Sequence, residues 1–392
     1  MKFIKSSRIY FHDEVKSGYL AINGKKIVGY LASDAPVCDY EDYGDQRIIP
    51  GIFDTHNHGT YGYNPGAVLS NKEEIKENIK NYLKALTYEG VTGILPTVVE
   101  TIQQVAEVSK EDYQGAKILG IHSEGPYLNR VGEGGRPQPY PNVDLNVVKQ
   151  MWDDSKGLLK LVAISPEIEN SQAAVDYWRS QGVKIAYAHS DLKAEGARKA
   201  VDNGYEVATH TANVMVGLHH RDIGGLGVML TDKRVECEVI CDGLHVDLDF
   251  IDIMFKIKGQ DRFMMISDST HLAGIKPGRY EVGWVTPMNV TDEGFIRDDD
   301  GRLLGSSKSV LFGIYNLVEK NGHPLSEVIK MASLNPAVYY GYGENKGSIE
   351  IGKDADLVVI SDDYQAIATY VEGELVFDAK TDEKLFNPNF KI

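Results

Sequence analysis

Short apolar segments of strand length alternate with helical segments through the middle of the chain, and this alternation is the strongest constraint on its fold. A strand that returns through a helix to the next strand builds a parallel sheet. Eight such units over roughly 200–250 residues predict an α/β protein with a (β/α)₈ TIM-like barrel. A doubly wound open sheet is the competing fold, but no glycine-rich phosphate loop follows the first strand. The predicted strands are residues 48–53, 93–95, 118–122, 159–164, 184–188, 206–209, 236–240 and 262–266, and helices are predicted at residues 72–88, 171–180, 192–203 and 250–258.

Both ends of the chain have a different, β-rich pattern. Asn23-Gly24 separates two strand-like segments, which is a strong hairpin signal. Residues 366–376 predict another hairpin, and residues 279–303 are polar and turn-rich, which predicts a β-hairpin insertion in the barrel. We therefore predict a small β-sandwich domain built from both chain ends, residues 1–48 with 345–392, and a barrel over residues 49–344.

Composition and charge exclude several classes of protein. The 392 residues carry a formal net charge of −16, whereas nucleic acids and anionic membranes bind to basic surfaces. The three cysteines have no spacing typical of a disulfide framework or a zinc cluster. The sequence also has no apolar run of signal-peptide or membrane-spanning length. We expect a cytoplasmic protein that binds neither nucleic acid nor membrane, although a small anionic substrate remains compatible with this charge.

Polar side chains follow the predicted strands, one strand after another. Because the active sites of such barrels lie at the carboxyl ends of the strands, these side chains should meet at one face. His56 and His58 follow the first strand, and residues i and i+2 of a strand point to the same side. A lone histidine more often completes a local hydrogen bond, but this distribution over many strand ends favours metal binding. The other strand-end residues are Glu124, His189, His210, His245 and Asp268.

Imidazole and carboxylate groups together suit a divalent transition metal, zinc or iron, better than magnesium or calcium. We predict one or two ions per subunit. Glu124, His189 and His210 would hold one ion, and His56 and His58, with Glu124 as a bridge, would hold a second. Asp268 would take a proton from a metal-activated water and return it to the leaving nitrogen. Taken alone, Asp268 is more simply read as a turn or helix cap; its neighbours on adjacent strand ends favour catalysis.

Several motifs make the chain resemble a known family. The chain resembles the amidohydrolase superfamily and, within it, the N-acetylglucosamine-6-phosphate deacetylases. The resemblance covers nearly the whole length, and the Glu-Gly-Pro-aromatic-Leu-Asn stretch that begins at Glu124 is characteristic of the deacetylases. The matching segments are residues 50–59, 93–97, 122–129, 209–215, 242–245, 267–270, 305–307 and 352–357.

The resemblance implies a metal-dependent deacetylase of an N-acetylated amino-sugar phosphate, which acts as a homodimer. It also implies Glu124, His189 and His210 as the principal metal ligands, with Asp268 as the acid/base. Arg221 matches an arginine that the family lends across the dimer to the sugar phosphate, and arginine binds phosphate in bidentate fashion. The other implied substrate contacts are Asn213, Val214, His245, Leu304, Gly135 and Arg136.

The chain departs from the family pattern near the predicted substrate. Arg136 stands where the family usually has a histidine that touches substrate, and Val214 stands where it has alanine. Ser123 replaces the usual apolar residue before Glu124. These departures leave the metal ligands and Asp268 intact. The alternatives are therefore a deacetylase of the galactosamine epimer, another amidohydrolase acting on N-acyl or cyclic amides, or a barrel that has lost catalysis.

Overall fold

The structure, a computed structural model, describes residues 1–131, 136–137, 142–281 and 287–390, without the side chains of Val131, Arg136 and Pro137. The predicted substrate contact Gly135 and the side chain of Arg136 therefore lie outside the described residues. None of the described helices is both long and apolar enough to cross a bilayer.

Strands and helices follow each other along most of the chain. The strands are β1 Lys2–Tyr10, β2 Val15–Asn23, β3 Lys26–Ala32, β4 Glu41–Asp42, β5 Arg47–Pro50, β6 Ile52–Asn57, β7 Val91–Pro96, β8 Lys117–Ile118, β9 Ile121–Glu124, β10 Arg130–Val131, β11 Arg136–Pro137, β12 Leu159–Ile164, β13 Lys184–Tyr187, β14 Val207–Ala208, β15 Glu236–Ile240, β16 Phe263–Ile266, β17 Gly278–Tyr280, β18 Met288–Val290, β19 Ile296–Asp298, β20 Leu357–Ile360, β21 Ala366–Val371 and β22 Glu374–Asp378. The α-helices are α1 Lys72–Leu86, α2 Ile102–Val108, α3 Leu145–Ser155, α4 Ser171–Ser180, α5 Ala194–Asp202, α6 Gly224–Thr231, α7 Leu248–Lys258, α8 Val310–Tyr315, α9 Leu325–Ala332 and α10 Leu334–Tyr339.

Parallel strands in the middle of the chain close into a barrel. One run of parallel pairs joins β9, β12, β13, β14, β15 and β16, and a second joins β6, β7 and β8. Parallel bridges from Thr97 to His122 and from Asn57 to Ser269 connect the two runs at both edges. The mixed α/β architecture with a parallel barrel agrees with the fold predicted from the alternation.

Helices cover the outside of the barrel because their sequences place apolar side chains on one face. In α1, the side chain of Asn71 caps the first turn by accepting a hydrogen bond from the backbone N–H of Glu74 at 3.0 Å. Ile75, Ile79 and Leu83 follow at helical spacing and are buried. The barrel strands inside are buried on both faces, as parallel strands between helices usually are.

The prediction of one barrel strand over residues 48–53 is wrong. Residues 47–50 form β5 of a different sheet, and the barrel strand β6 runs from Ile52 to Asn57. The break falls at Pro50-Gly51 because Pro50 has no N–H to donate, while the N–H of Gly51 donates to the Asp356 carbonyl at 2.8 Å. A Cβ atom on Gly51 would lie only 2.2 Å from the Thr92 hydroxyl, so the close approach of the chains requires glycine.

Both chain ends contribute to one mixed sheet, which we call the terminal sheet. Its strand order is β22-β21-β20-β5-β1-β2-β3, with β4 also paired to β1. Buried side chains from both ends, such as Ile4, Leu20, Val359 and Tyr370, pack in one apolar cluster. The described strands thus join the two ends as predicted, but as a single sheet. A separate β-sandwich domain is not confirmed.

The segment predicted as a hairpin insertion forms three antiparallel strands, β17, β18 and β19. Tyr280, Met288 and Ile296 pack on Leu272 beneath this small sheet. After β19 the chain returns through Leu303 and Leu304 to the carboxyl end of the barrel, where the backbone of Ser306 bridges to Ser269. The insertion therefore delivers a loop to the face where the predicted site lies.

Candidate active site

The predicted metal ligands meet at the carboxyl end of the barrel. Glu124 lies at their centre, and its two carboxylate oxygens face different histidines. Oε1 lies 3.0 Å from His189 Nε2 and 3.1 Å from His210 Nε2. Oε2 lies 3.1 Å from His58 Nε2 and 3.7 Å from His56 Nε2. One carboxylate thus joins two histidine pairs, in the arrangement expected of a bridging ligand.

Asp268 lies beside the second of these groups. Its Oδ1 atom lies 3.4 Å from Nε2 of both His56 and His58, whose Nε2 atoms are themselves 3.2 Å apart. Four ligand atoms at zinc-ligand distance from one ion lie about 3.3–3.4 Å from one another in tetrahedral geometry. The spacing and the nitrogen and oxygen donors fit a divalent transition metal. We call the possible ligands His56, His58, Glu124, His189 and His210, together with the adjacent Asp268, the ligand cluster.

Charge in the ligand cluster also favours a cation. Burial alone would lower the pKa of His58, but Asp268 and Glu124 outweigh burial and raise this pKa to about 9. Burial alone would raise the pKa of Asp268, but His56 and His58 outweigh burial and lower it to about 2. The carboxylates therefore stay ionised and hold positive charge next to them. A metal ion can supply that charge instead of protons on the histidines.

Hydrogen bonds from behind orient two of the histidines. His189 Nδ1 lies 2.7 Å from the carbonyl oxygen of Arg130, which can only accept, so Nδ1 carries the proton and Nε2 is free to bind. His56 Nδ1 lies 3.2 Å from Glu238 Oε2 in the same way. His210 has no such support among the described residues, since its buried Nδ1 has no partner.

Glu238, which is not among the predicted site residues, is fully buried in β15. Besides His56, it accepts a hydrogen bond from the Thr55 hydroxyl at 3.3 Å. His56, His122 and Glu238 also form a third group of possible ligand atoms, which lies wholly in the barrel interior. A glutamate in the middle of an otherwise apolar strand was the available signal, because such a group is rarely buried without a partner.

Asn57 fastens the strand that carries the histidine pair. Its side-chain amide donates to Ser269 Oγ at 2.8 Å, Ser267 Oγ at 3.0 Å and Asp54 Oδ2 at 3.1 Å. Burial raises the pKa of Asp54 to about 6, against the opposing hydrogen bonds from Ser267 and Asn57. These bonds tie β6 to the end of β16, so His56 and Asp268 are held in register.

Left-handed backbone marks the same strand ends. His189, His210 and Asp268 have φ values of 48°, 31° and 46°, and Val214 has 51°. Such conformations cost of the order of 1–3 kcal/mol each for residues other than glycine, and they concentrate at functional sites. Here they turn the side chains of the ligand cluster towards a common centre.

A first cavity of about 130 Å³ opens onto the ligand cluster. It brings together four of the predicted substrate contacts: Asn213, Val214, His245 and Leu304. Asp242 accepts a hydrogen bond from His245 Nδ1 at 2.7 Å, and Nε2 lies 3.1 Å from the carbonyl of Leu304. Burial lowers the pKa of His245, but Asp242 outweighs it, so the pKa is raised above its usual value. Because both partners are acceptors, this geometry suits a doubly protonated ring.

Arg221 is not brought to the first cavity of its own chain. It lies on an exposed turn, where its guanidinium contacts His220 Nε2 at 2.7 Å. The backbone of Arg136 pairs with Val131 in a short antiparallel ladder. The substrate contacts predicted for Arg221, Arg136 and Gly135 therefore stay predictions.

A second cavity of about 480 Å³ lies on the His58 side of the ligand cluster. It shares His58, Glu124 and Thr270 with the first cavity. Its other lining residues are Asn64, Gly66, Val68, Thr97, Val98, Val99, Glu100, His271 and Met288. The ligand cluster thus lies between two openings.

Comparisons of sequence and of structure find related proteins of the same kind. Residues 47–376 match the model of the amidohydrolase family. N-acetylglucosamine-6-phosphate deacetylase of Vibrio furnissii is 31% identical over 348 residues, which are 86% of this chain and 85% of that protein. N-acetylgalactosamine-6-phosphate deacetylase of Escherichia coli O157:H7 is also 31% identical, over 88% of this chain and 92% of that protein. The crystal structure of N-acetylglucosamine-6-phosphate deacetylase from Pasteurella multocida superposes with a TM-score of 0.84 at 26% identity, over 95% of this chain and 99% of that one.

Proposed function

The chain belongs to the amidohydrolase family and, within it, to the N-acetylglucosamine-6-phosphate deacetylases, and we propose that it removes the N-acetyl group of an amino-sugar phosphate. The favoured reaction converts N-acetylglucosamine 6-phosphate and water to glucosamine 6-phosphate and acetate. The observation that carries this proposal is the position of Glu124, between two histidine pairs and next to a cavity that holds the predicted sugar contacts.

Glu124, His189 and His210 would hold one zinc or iron ion, and His56 and His58, with Glu124, a second. A bound ion polarises an amide carbonyl and lowers the pKa of water to about 7. Asp268 is the acid/base in this proposal. Its lowered pKa keeps it ionised at neutral pH, so it can take a proton from water at the cluster and deliver it to the departing amine.

The sugar would lie in the first cavity. Asn213 and the charged ring of His245 would contact its hydroxyl groups, with Leu304 over the ring. Arg221 lies on the exposed turn outside this cavity, so we propose that it binds the 6-phosphate of a substrate in the partner subunit of a homodimer. This role requires an oligomer, which sedimentation of the purified protein measures directly.

The galactosamine epimer is the second candidate substrate. The Escherichia coli relative named for that substrate is as similar in identity as the Vibrio relative named for the glucosamine substrate. Val214 lines the first cavity and is bulkier than the alanine of the family pattern, so it leaves the sugar less space than alanine would.

The test measures release of free amine and acetate. Metal-stripped protein is reconstituted separately with zinc and with iron, and is given both N-acetylhexosamine 6-phosphates and unphosphorylated N-acetylglucosamine. We expect metal-dependent turnover of phosphorylated N-acetylglucosamine. Turnover of the epimer alone would select the second candidate, and absence of turnover with every phosphorylated substrate would refute the deacetylase proposal.

A further inference from the structure

We infer that the second cavity is an acyl-group subsite, and that the enzyme hydrolyses N-acyl groups longer than acetyl. The inference rests on the proposed function, because it names the acyl side of the same scissile amide. It follows from the position of this cavity, from its charge and from its size.

The second cavity lies next to the first at the ligand cluster, because both cavities are lined by His58 and Glu124. An amide has two substituents, one on nitrogen and one on the carbonyl carbon. With the carbonyl at the cluster and the sugar in the first cavity, the acyl substituent extends in the other direction. The second cavity is the space that opens there.

Charge sets the direction in which the substrate binds. Glu100 lines the second cavity, and no lysine or arginine is among its described lining residues. A sugar phosphate placed there would bring its negative charge towards Glu100 without a compensating cation. Val68, Val98, Val99 and Met288 supply an apolar lining instead, which suits a hydrocarbon chain. The first cavity also has no lysine or arginine among its described lining residues, but Asn213 and His245 there can hydrogen-bond to sugar hydroxyl groups. The polar first cavity therefore suits the sugar, and the apolar second cavity suits the acyl group.

Size distinguishes acetyl from longer groups. Beyond its carbonyl, an acetyl group places only one methyl group in the second cavity, whose volume is about 480 Å³. The reaction itself is the same for any chain length. The C–N bond breaks, the hydroxyl of water joins the acyl carbon to give a carboxylic acid, and the nitrogen takes up a proton. No further reactant is needed.

The experiment compares kcat/KM for N-acetyl-, N-propanoyl- and N-butanoyl-glucosamine 6-phosphate with the metal-reconstituted enzyme. Burial of each added methylene is worth about fourfold, so butanoyl should reach up to about sixteenfold the acetyl value. A butanoyl value at or above the acetyl value supports the inference. A lower value overturns it while leaving the deacetylase proposal intact. If all three glucosamine substrates fail, the same acyl groups on galactosamine 6-phosphate are compared by the same criterion, and failure of both series removes the proposed function and the inference together.

Two neighbouring variants locate the acyl chain. Val68 lines the second cavity and is 71% exposed, and Leu69 does not line it and is 40% exposed, so tryptophan at either position should fold. Val68→Trp should lower the butanoyl-to-acetyl ratio of kcat/KM by at least tenfold, because the indole fills the cavity. Leu69→Trp should leave that ratio unchanged. Equal ratios in both variants, with circular dichroism confirming their folding, would overturn the inference.

Discussion

Glu238→Gln tests whether the carboxylate that faces His56 Nδ1 controls metal binding at His56 and His58. Glu238 is fully buried, and its Oε2 lies 3.2 Å from His56 Nδ1. Glutamine keeps the size of the side chain but removes the negative charge that makes the facing imidazole a better ligand. The amide oxygen of the glutamine can still accept the hydrogen bond from the Thr55 hydroxyl, so the packing should survive.

The expected magnitude follows from this geometry. Loss of such a supporting carboxylate typically weakens metal affinity by about tenfold to a hundredfold, or about 1.4–2.7 kcal/mol. Only the ion held by His56 and His58 should be affected. His189 is supported separately, by the carbonyl of Arg130 at 2.7 Å, so an ion at His189 and His210 should keep its affinity.

Titration of the metal-stripped protein with zinc, in competition with a chromogenic chelator, measures the two affinities separately. Metal content per subunit after dialysis gives the stoichiometry. Glu236→Gln is the matched control, because Glu236 begins the same strand and pairs with Arg262 away from the ligand cluster. An unchanged affinity in Glu238→Gln, or an equal loss for both ions, would refute the reasoning.

Four further predictions follow from the site. Asp268→Asn should retain metal and substrate binding but lose turnover, and retained turnover in a reconstituted sample would contradict its acid/base role. Arg221→Ala should raise KM for the phosphorylated substrate by roughly tenfold to a hundredfold, through loss of a charge-assisted contact, and should leave any turnover of the unphosphorylated sugar unchanged. The pKa of His245 is raised in the folded state by its bond to Asp242. The stability that this bond contributes is therefore fully present below pH 6.5, and it is lost as the pH rises through the folded-state pKa of His245. The loss in thermal stability caused by Asp242→Asn, measured from pH 5 to pH 9, should therefore shrink as pH rises, and a constant difference would contradict the charged ring. Chelation should lower the unfolding temperature, since a ligand at one hundred times its Kd adds about 2.7 kcal/mol, and calorimetry with and without added zinc measures this difference.

Periodicity predicted most of the barrel because each strand is apolar and bounded by turn residues. Strands 159–164 and 236–240 and the helix 171–180 have the predicted ends. Pro50-Gly51 was the available signal for the split at Gly51, but residues 48–53 are otherwise one apolar run of strand length. The two halves of this segment pair with different strands, β5 with β20 and β6 with β7, and β20 lies far away in the sequence.

The same reasoning applies to the site. The proximity of Glu124, His189 and His210 could be predicted because each lies at the end of a strand, where the fold itself brings strand ends together. Glu238 lies within a strand, and its role depends on the facing His56 across the barrel interior. The role proposed for Arg221 involves a second chain, so the contacts within one chain do not test it.

The junction at Gly51 also has a consequence for biosynthesis. The strand that carries His56 continues directly from β5, and β5 pairs with β20, where Ile48 lies opposite Val359. On the ribosome, β5 emerges long before its partner. A nascent chain can thus assemble barrel strands while the anchor of its histidine strand is still missing. Metal added during translation should therefore be held stably at His56 and His58 only after β20 has been synthesised.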